Sequence, residues 1–392
     1  MNVLFVHYGD DWIAGSEIAL LELIRALRKR GVKPFLWCNA PSMVRAAAAL
    51  GAPAERDDFA YFFDYASPRF SPRRFLSLAR KAGRLIAAQE CDIVHCNGAA
   101  PTQWLLPACR RRRTPLLTYL HSPYLRRSRY VTGLHLADSI VAVSKAVAAP
   151  LMADGVEPTR VAVIPNGFDR ATLLAGDCSE LRPALGIPSD AVVGAIVGSL
   201  IRRKGHDILI AAMARKRFSR PFHLLIVGEG PEKDALQKAS LGFTAHFLGR
   251  SDEVGALLRD AADFLVLPSR QEAFGRVIIE AALAGKPAIG SNVDGVPEAI
   301  VDEVTGILVP PDSPDALAAA MERLISDERL RRRLGAAAQA RAEREFSIDS
   351  CADAMLARYE STIARAREPG AFLRRLRPYL RLFGSGARGA QE

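Results

Sequence analysis

Short apolar runs rich in valine, isoleucine and leucine alternate with stretches of helical periodicity along the whole chain. Runs at 3–6, 35–38, 93–96, 116–119, 140–143 and 161–164 predict strands in the first half. Between the first two, Ile18, Leu21, Ile24 and Leu27 recur at three- and four-residue steps, the mark of one apolar helix face. Strand and helix in alternation predict a parallel sheet with helices on both faces. Pro165-Asn166-Gly167 is a turn signal. After it, residues 169–190 lose periodicity and carry Gly176, Pro183, Gly186 and Pro188, a composition that reads as a linker. The rhythm restarts at 192–197, 224–227, 245–248, 264–267, 288–290 and 307–309, and three helices follow. The pattern predicts two doubly wound α/β domains, 1–170 and 191–346, joined by 171–190, with a helix at 347–366 and a tail at 367–392. Ligands of such sheets bind in crevices at the carboxyl ends of strands, so the active site is expected between the domains.

Length agrees with two domains, because 392 residues exceed one ordinary α/β core. No basic leader precedes the first strand, and no apolar run reaches the roughly 18 residues of a membrane span; the longest, 191–201, stops at Arg202. Cys38, Cys91, Cys96, Cys109, Cys178 and Cys351 are scattered without metal-ligand spacing and read as thiols of a reducing compartment. These features point to the cytoplasm. The net charge of +10 is concentrated in arginine clusters at 110–113, 126–129, 202–204, 331–333 and 374–381. Such patches suit phosphorylated ligands or anionic lipid. No nucleic-acid module accompanies them, so nucleic acid ranks last among partners.

The most informative segment runs from Pro268 to Pro287. A strand ends at Pro268, a loop carries Glu272, and a helix begins near Gly275 and ends at Gly285, its free amide groups forming an anion site. Glu272 and Glu280 are eight positions apart, roughly 12 Å on a helical rise. That is too far for a glycosidase pair, which spans roughly 5 to 9.5 Å, and better suited to gripping two ends of a long ligand.

The segment resembles the E-x7-E signature of the retaining family 4, or group 1, glycosyltransferases, and the resemblance extends from Gly15 to about Arg344. It implies the GT-B fold, an α/β architecture of two Rossmann-like doubly wound domains facing a central cleft. It also implies that Glu272 contacts the donor sugar, that Glu280 holds the nucleotide ribose, and that Phe274, Gly275 and Arg276 supply backbone contacts to sugar and phosphate.

A second constellation, Gly198-Ser199-Leu200-Ile201-Arg202-Arg203-Lys204-Gly205, places a basic loop after a strand. A departing diphosphate develops negative charge that something cationic must stabilise. No Asp-x-Asp pair occurs in the sequence, so Lys204 with a neighbouring arginine takes the place of a metal. The loop resembles the family's G-R-L-x-x-x-K-G, in which lysine and arginine hold the donor phosphates. Ser199 stands where the family has that arginine, and Arg202 is the candidate to replace it; a solvated charge run is the alternative. In the first domain, Ala14-Gly15-Ser16-Glu17 resembles the family's G-G-x-E loop. Gly15 gives the ligand close backbone approach on that reading, or merely starts a helix with Ser16 as its cap. Gly9 and Gly15 do not form the dinucleotide fingerprint, which removes a nicotinamide enzyme. His121, after a strand, resembles the family's strand-end histidine near the donor sugar; the alternative is a satisfied polar group. Gly228 ends another strand near the expected nucleotide pocket.

The resemblance therefore implies transfer of a sugar from a nucleotide diphosphate sugar, as co-substrate, with retention and with neither metal nor other cofactor. The acceptor expected from family habit is a cell-envelope glycan or a lipid-linked one. The rivals are an inactive GT-B scaffold subunit and a sugar-nucleotide hydrolase or epimerase. In the tail, Phe372, Leu376, Tyr379, Leu380 and Phe383 recur at helical steps opposite Arg374, Arg377 and Arg381. This basic amphipathic pattern fits either peripheral attachment to an anionic inner membrane face or packing on the enzyme itself.

Overall fold

The computed structural model describes residues 1–59, 71–366, 375, 376, 378 and 379. The chain divides into two compact units: Met1–Gly167 together with the segment from Ile348 onward, and Phe168–Ser347.

The first unit holds a seven-stranded parallel sheet of β1 (Asn2–His7), β2 (Lys33–Cys38), β3 (Ala54–Arg56), β4 (Ile93–Asn97), β5 (Leu116–Leu120), β6 (Ser139–Ala142) and β7 (Val161–Val163). Its order is β3-β2-β1-β4-β5-β6-β7. The central strands are buried along their length, as apolar runs covered on both faces should be. Phe5, Trp37 and Trp104 fill the core and are fully buried. The edge strand β3, three residues with an exposed end, has no apolar run to betray it in sequence.

The helix Ile348–Ala366 belongs to this unit. It packs against the helix Gly15–Lys29. Arg30 pairs with Asp349 and Asp353 at 3.0 and 2.6 Å, and the buried Tyr359 hydroxyl meets His95 Nδ1 at 2.6 Å. Two described residues of the tail also lie on the unit. Arg375, almost fully buried, pairs with Asp138 at 2.5 Å. Tyr379 donates to the Tyr130 carbonyl at 2.9 Å and sets its ring edge-on to that of Tyr130. Phe372, Arg374, Arg377, Leu380, Arg381 and Phe383 lie outside the described residues.

The second unit holds a six-stranded parallel sheet of β8 (Val192–Val197), β9 (Phe222–Val227), β10 (Ala245–Gly249), β11 (Phe264–Leu267), β12 (Ala288–Ser291) and β13 (Gly306–Val309), in the order β10-β9-β8-β11-β12-β13. Leu209, Met213, Leu224, Phe264, Ile289 and Met321 are among its core. The stretch read as a linker contains two single-turn helices, Arg170–Leu173 and Leu181–Ala184, and is part of this unit. Four residues are too few to leave a periodicity in sequence, whereas an Asp169 cap bonded to the Ala171 and Thr172 amides fixes the first turn.

Among the described residues no helix is long and apolar enough to cross a membrane. No disulfide forms among the described residues, and the six cysteines are buried or half-buried.

Candidate active site

In each sheet the order reverses once, between β1 and β4 and between β8 and β11. Such a reversal opens a crevice at the carboxyl ends of the two strands. The sequence-derived candidates cluster at these two positions.

In the second unit, the chain leaves β8 through Gly198 and passes into a 3-10 turn at Arg202–Lys204. The neighbouring β11 ends at Leu267 and passes into the loop that carries Glu272. Lys204 Nζ donates to Glu272 Oε2 at 2.5 Å, with both side chains largely buried. Ser269 Oγ, fully buried, lies 3.4 Å from the same oxygen. Two buried groups of opposite charge held this close satisfy each other and leave a mutually neutral pair that a charged ligand can divide.

A scaffold holds this pair. Arg270 forms a two-point bond to Asp207, 2.8 Å on each arm, and a third contact to Asp312 at 2.6 Å. The hydrogen bond to Asp207 holds the guanidinium of Arg270 above its ordinary range. Arg270 also donates to the Arg202 carbonyl at 2.7 Å. Glu272 is steered from the other side, because its backbone amide donates to Asp294 Oδ2 at 3.0 Å. Asp294 adopts a positive φ of 43° to do this.

The other residues assigned to the donor divide in two. Arg203 donates to the Gln271 carbonyl at 2.8 Å and so braces the glutamate loop. Ser199 and Arg202 are exposed. Gly228 has a φ of 141°, and a β-carbon there would stand 2.0 Å from the Gly198 carbonyl oxygen, so glycine is required for two strand exits to lie together. Gly275 caps the helix Arg276–Leu283 at a φ of 81°. Phe274 turns its ring into the core against Phe346, 5.6 Å between centroids, which leaves its backbone as the part able to meet a ligand.

Arg276 and Glu280 share a helix face one turn apart, 3.6 Å between Nη2 and Oε1. The Arg276 guanidinium also lies over the Phe168 ring at 4.4 Å. Burial pushes the Glu280 carboxyl above the usual carboxylate range, and the charge of Arg276 opposes that only in part. His206 beside Lys204 is pushed down to about 4, first by burial and then by the lysine charge.

In the first unit, Gly15 is the first residue of its helix. The cap is Ala14, whose amide donates to Glu17 Oε2 at 3.2 Å; Ser16 instead donates to Glu17 Oε1 at 3.0 Å, so the alternative with Ser16 as cap does not hold. His121 follows β5, its Nε2 2.7 Å from Asn97 Oδ1 and its ring against Tyr119. It lines a pocket of about 370 Å³ with His7, Ser16, Glu17, Asn97 and Tyr124. Burial raises the Glu17 carboxyl, but contacts with His7 and Ser16 outweigh it and hold the group below its ordinary value.

His7 and Asn97 were not singled out in the sequence. A signal was available: each is the polar last residue of a mostly apolar strand. Asp207 left none; Arg270 and Asp294 lie in segments the sequence reading quoted, but their bracing contacts to Asp207 and to the Glu272 amide were not legible there.

Two family models match successive parts of the chain, "Glycosyltransferase Family 4" over residues 13–172 and "Glycosyl transferases group 1" over 177–341. A D-inositol 3-phosphate glycosyltransferase of Gordonia bronchialis is 29% identical over 93% of this chain and 88% of its own length. One from Segniliparus rotundus is 36% identical over 53% of this chain, a match spanning about half (48%) of that relative. The crystal structure of Anabaena HepE in complex with UDP superposes with a TM-score of 0.79 over 92% of this chain and all of that one, at 24% identity, a likeness of fold. Strand order, the placing of the glutamate and lysine loops at one sheet reversal, and both matches agree that this chain belongs to the group 1, family 4 glycosyltransferases and has their GT-B fold.

Proposed function

We propose that the chain transfers a glycosyl group from a nucleoside diphosphate sugar to an acceptor hydroxyl, with retention of anomeric configuration and without a metal ion. The observation that carries this is the Lys204–Glu272 pair at the carboxyl ends of β8 and β11. In the reaction the bond between the anomeric carbon and the β-phosphate oxygen breaks, and a bond from that carbon to the acceptor oxygen forms. The acceptor proton passes to the departing phosphate. Lys204, with the amide groups at Gly275 and Arg276, stabilises the charge that grows on the diphosphate. Glu272, released by the lysine, accepts from the donor sugar, and Glu280 from the ribose. His121 is assigned to the sugar on the same reading. Arg202, exposed beside Lys204, is the arginine proposed to take the place that Ser199 leaves.

HepE was solved with UDP, and the Gordonia relative is named for D-inositol 3-phosphate. Uridine diphosphate sugars and that acceptor are therefore the first to assay, beside lipid-linked and envelope glycans. Product analysis tests the proposal. Acceptor-dependent release of nucleoside diphosphate with a glycoside of the donor's anomeric configuration supports it. Free sugar or an epimer without an acceptor would assign a hydrolase or epimerase, and binding without turnover a scaffold.

For the tail, Arg375 on Asp138 and Tyr379 on Tyr130 support packing on the first unit. A cytoplasmic enzyme resting on an anionic inner membrane face is the proposal that remains for the arginines beyond them.

A further inference from the structure

At the amino ends of β9 and β10 the second unit carries a pocket of about 440 Å³, within the size range of small-ligand sites. It forms where the helix His206–Arg215 turns into β9 and where the chain enters β10. Arg215, Lys216, Arg217 and Arg220 line it, together with Phe218 and Phe243. The strands of this sheet all run the same way, so the pocket and the Lys204 loop lie at opposite ends of it. A six-residue strand such as β9 separates those ends by roughly 20 Å.

The charges at this loop are not matched. Arg215 Nη1 meets both oxygens of Asp315 at 3.1 Å. Arg220 donates to the Asp190 carbonyl at 3.0 Å, a partner that brings no charge. The Glu322 carboxylate accepts from the Ser219 amide at 3.2 Å and steadies the loop. Lys216 and Arg217 are exposed, and their side chains make no hydrogen bond or ion pair among the described residues. No carboxylate is among the described residues that line the pocket.

A solvated charge run needs neither a concavity nor an apolar wall. Here both are present. Met213 and Phe222 are buried beneath the cations, and the half-buried Phe218 sets its ring against that of Phe222, 5.2 Å between centroids. Phe243 is half-buried too, and Leu241, 80% exposed, adjoins the Gly242 that lines the pocket. Ammonium and guanidinium donors suit phosphate oxygens, and the rings suit whatever carbon the phosphate carries.

We propose that this pocket is a second anion site, separate from the candidate donor site, and that it takes a phosphate group joined to an apolar or ring-bearing moiety. Such a group belongs either to a soluble phosphorylated molecule or to the headgroup of an anionic phospholipid. Only the lipid brings acyl chains to Leu241.

Calorimetric titration with phenyl phosphate, and sedimentation with phosphatidylcholine vesicles with or without phosphatidylglycerol, test the site on the full-length chain. The titration uses Lys204→Ala protein as host, so that the candidate donor loop contributes nothing. Adding Lys216→Gln and Arg217→Gln should weaken phenyl phosphate roughly tenfold or more, while these exposed changes leave the melting point where it was. A soluble ligand is assigned if the same pair leaves vesicle binding unchanged. A lipid headgroup is assigned if the pair, in a chain with its tail intact, lowers binding to the phosphatidylglycerol vesicles roughly tenfold and Leu241→Ser lowers it as well. Phenyl phosphate affinity and vesicle binding both unmoved by the pair overturn the site, as does a host that binds neither probe.

Discussion

Lys204 Nζ and Glu272 Oε2 stand 2.5 Å apart although 68 positions separate them, because β8 and β11 are neighbours in the sheet and each ends one loop short of the contact. On the proposed reading, the cation assigned to the phosphate rests against the carboxylate assigned to the sugar. A donor that brings a diphosphate and hydroxyl groups gives each partner a replacement.

Lys204→Ala is expected to lower kcat by about 10² or more, since the charge it meets appears mainly as the leaving group departs. Steady-state kinetics against the donor checks this. An effect confined to the donor KM would make Lys204 a binder of the ground state.

The two parallel sheets were legible, because buried parallel strands are written as continuous apolar runs, whereas the order of strands within each sheet was not, since it is set by pairing between distant segments. The edge strand β3 and the one-turn helices at 170–173 and 181–184 were not, being too short for any period. At the site, Glu272, Glu280 and Lys204 were read from spacing and resemblance. Which arginine braces the glutamate loop was not, because Arg202, Arg203 and Arg270 are alike in sequence and differ only in the carbonyls and carboxylates that folding brings to them.

Glu280 is held with a raised pKa by burial. A carboxyl whose pKa is higher folded than unfolded opposes folding when both states are ionised, and that cost shrinks as pH falls through the folded value and is gone below the unfolded one. Glu280→Gln should therefore melt above the wild type at neutral pH, and the gap should close in acid. The same variant should bind nucleoside diphosphate more weakly. Thermal melts across that pH range and calorimetric titration measure both; unchanged nucleotide affinity would remove Glu280 from the ribose.

On the proposed account turnover should persist in EDTA, because lysine and helix amides would stabilise the diphosphate. Activity abolished by the chelator and fully restored by magnesium would overturn this account of the leaving group.

Arg375→Ala removes one partner of a buried ion pair and leaves Asp138 uncompensated, a loss of about 3 kcal/mol. That corresponds to a melting point lower by about 6 °C or more. Deleting residues 370–392 should cost at least as much. Sedimentation with anionic liposomes at low and high salt tests the membrane proposal: the full chain should pellet in low salt and the truncated one less. Equal pelleting of the two would assign the tail to packing alone.

The central claim is that Lys204 and Glu280 together make the second unit a site for a nucleoside diphosphate sugar. A thermal-shift panel of nucleoside diphosphates and their sugars, run on the wild type and on the Lys204→Ala, Glu280→Ala double variant, tests it most directly. A true donor present at 100 times its Kd stabilises the folded state by about 2.7 kcal/mol. The account predicts that at least one nucleoside diphosphate and its sugar raise the wild-type melting point, while the folded double variant does not respond. An equal rise in both proteins would place the nucleotide elsewhere and contradict the claim.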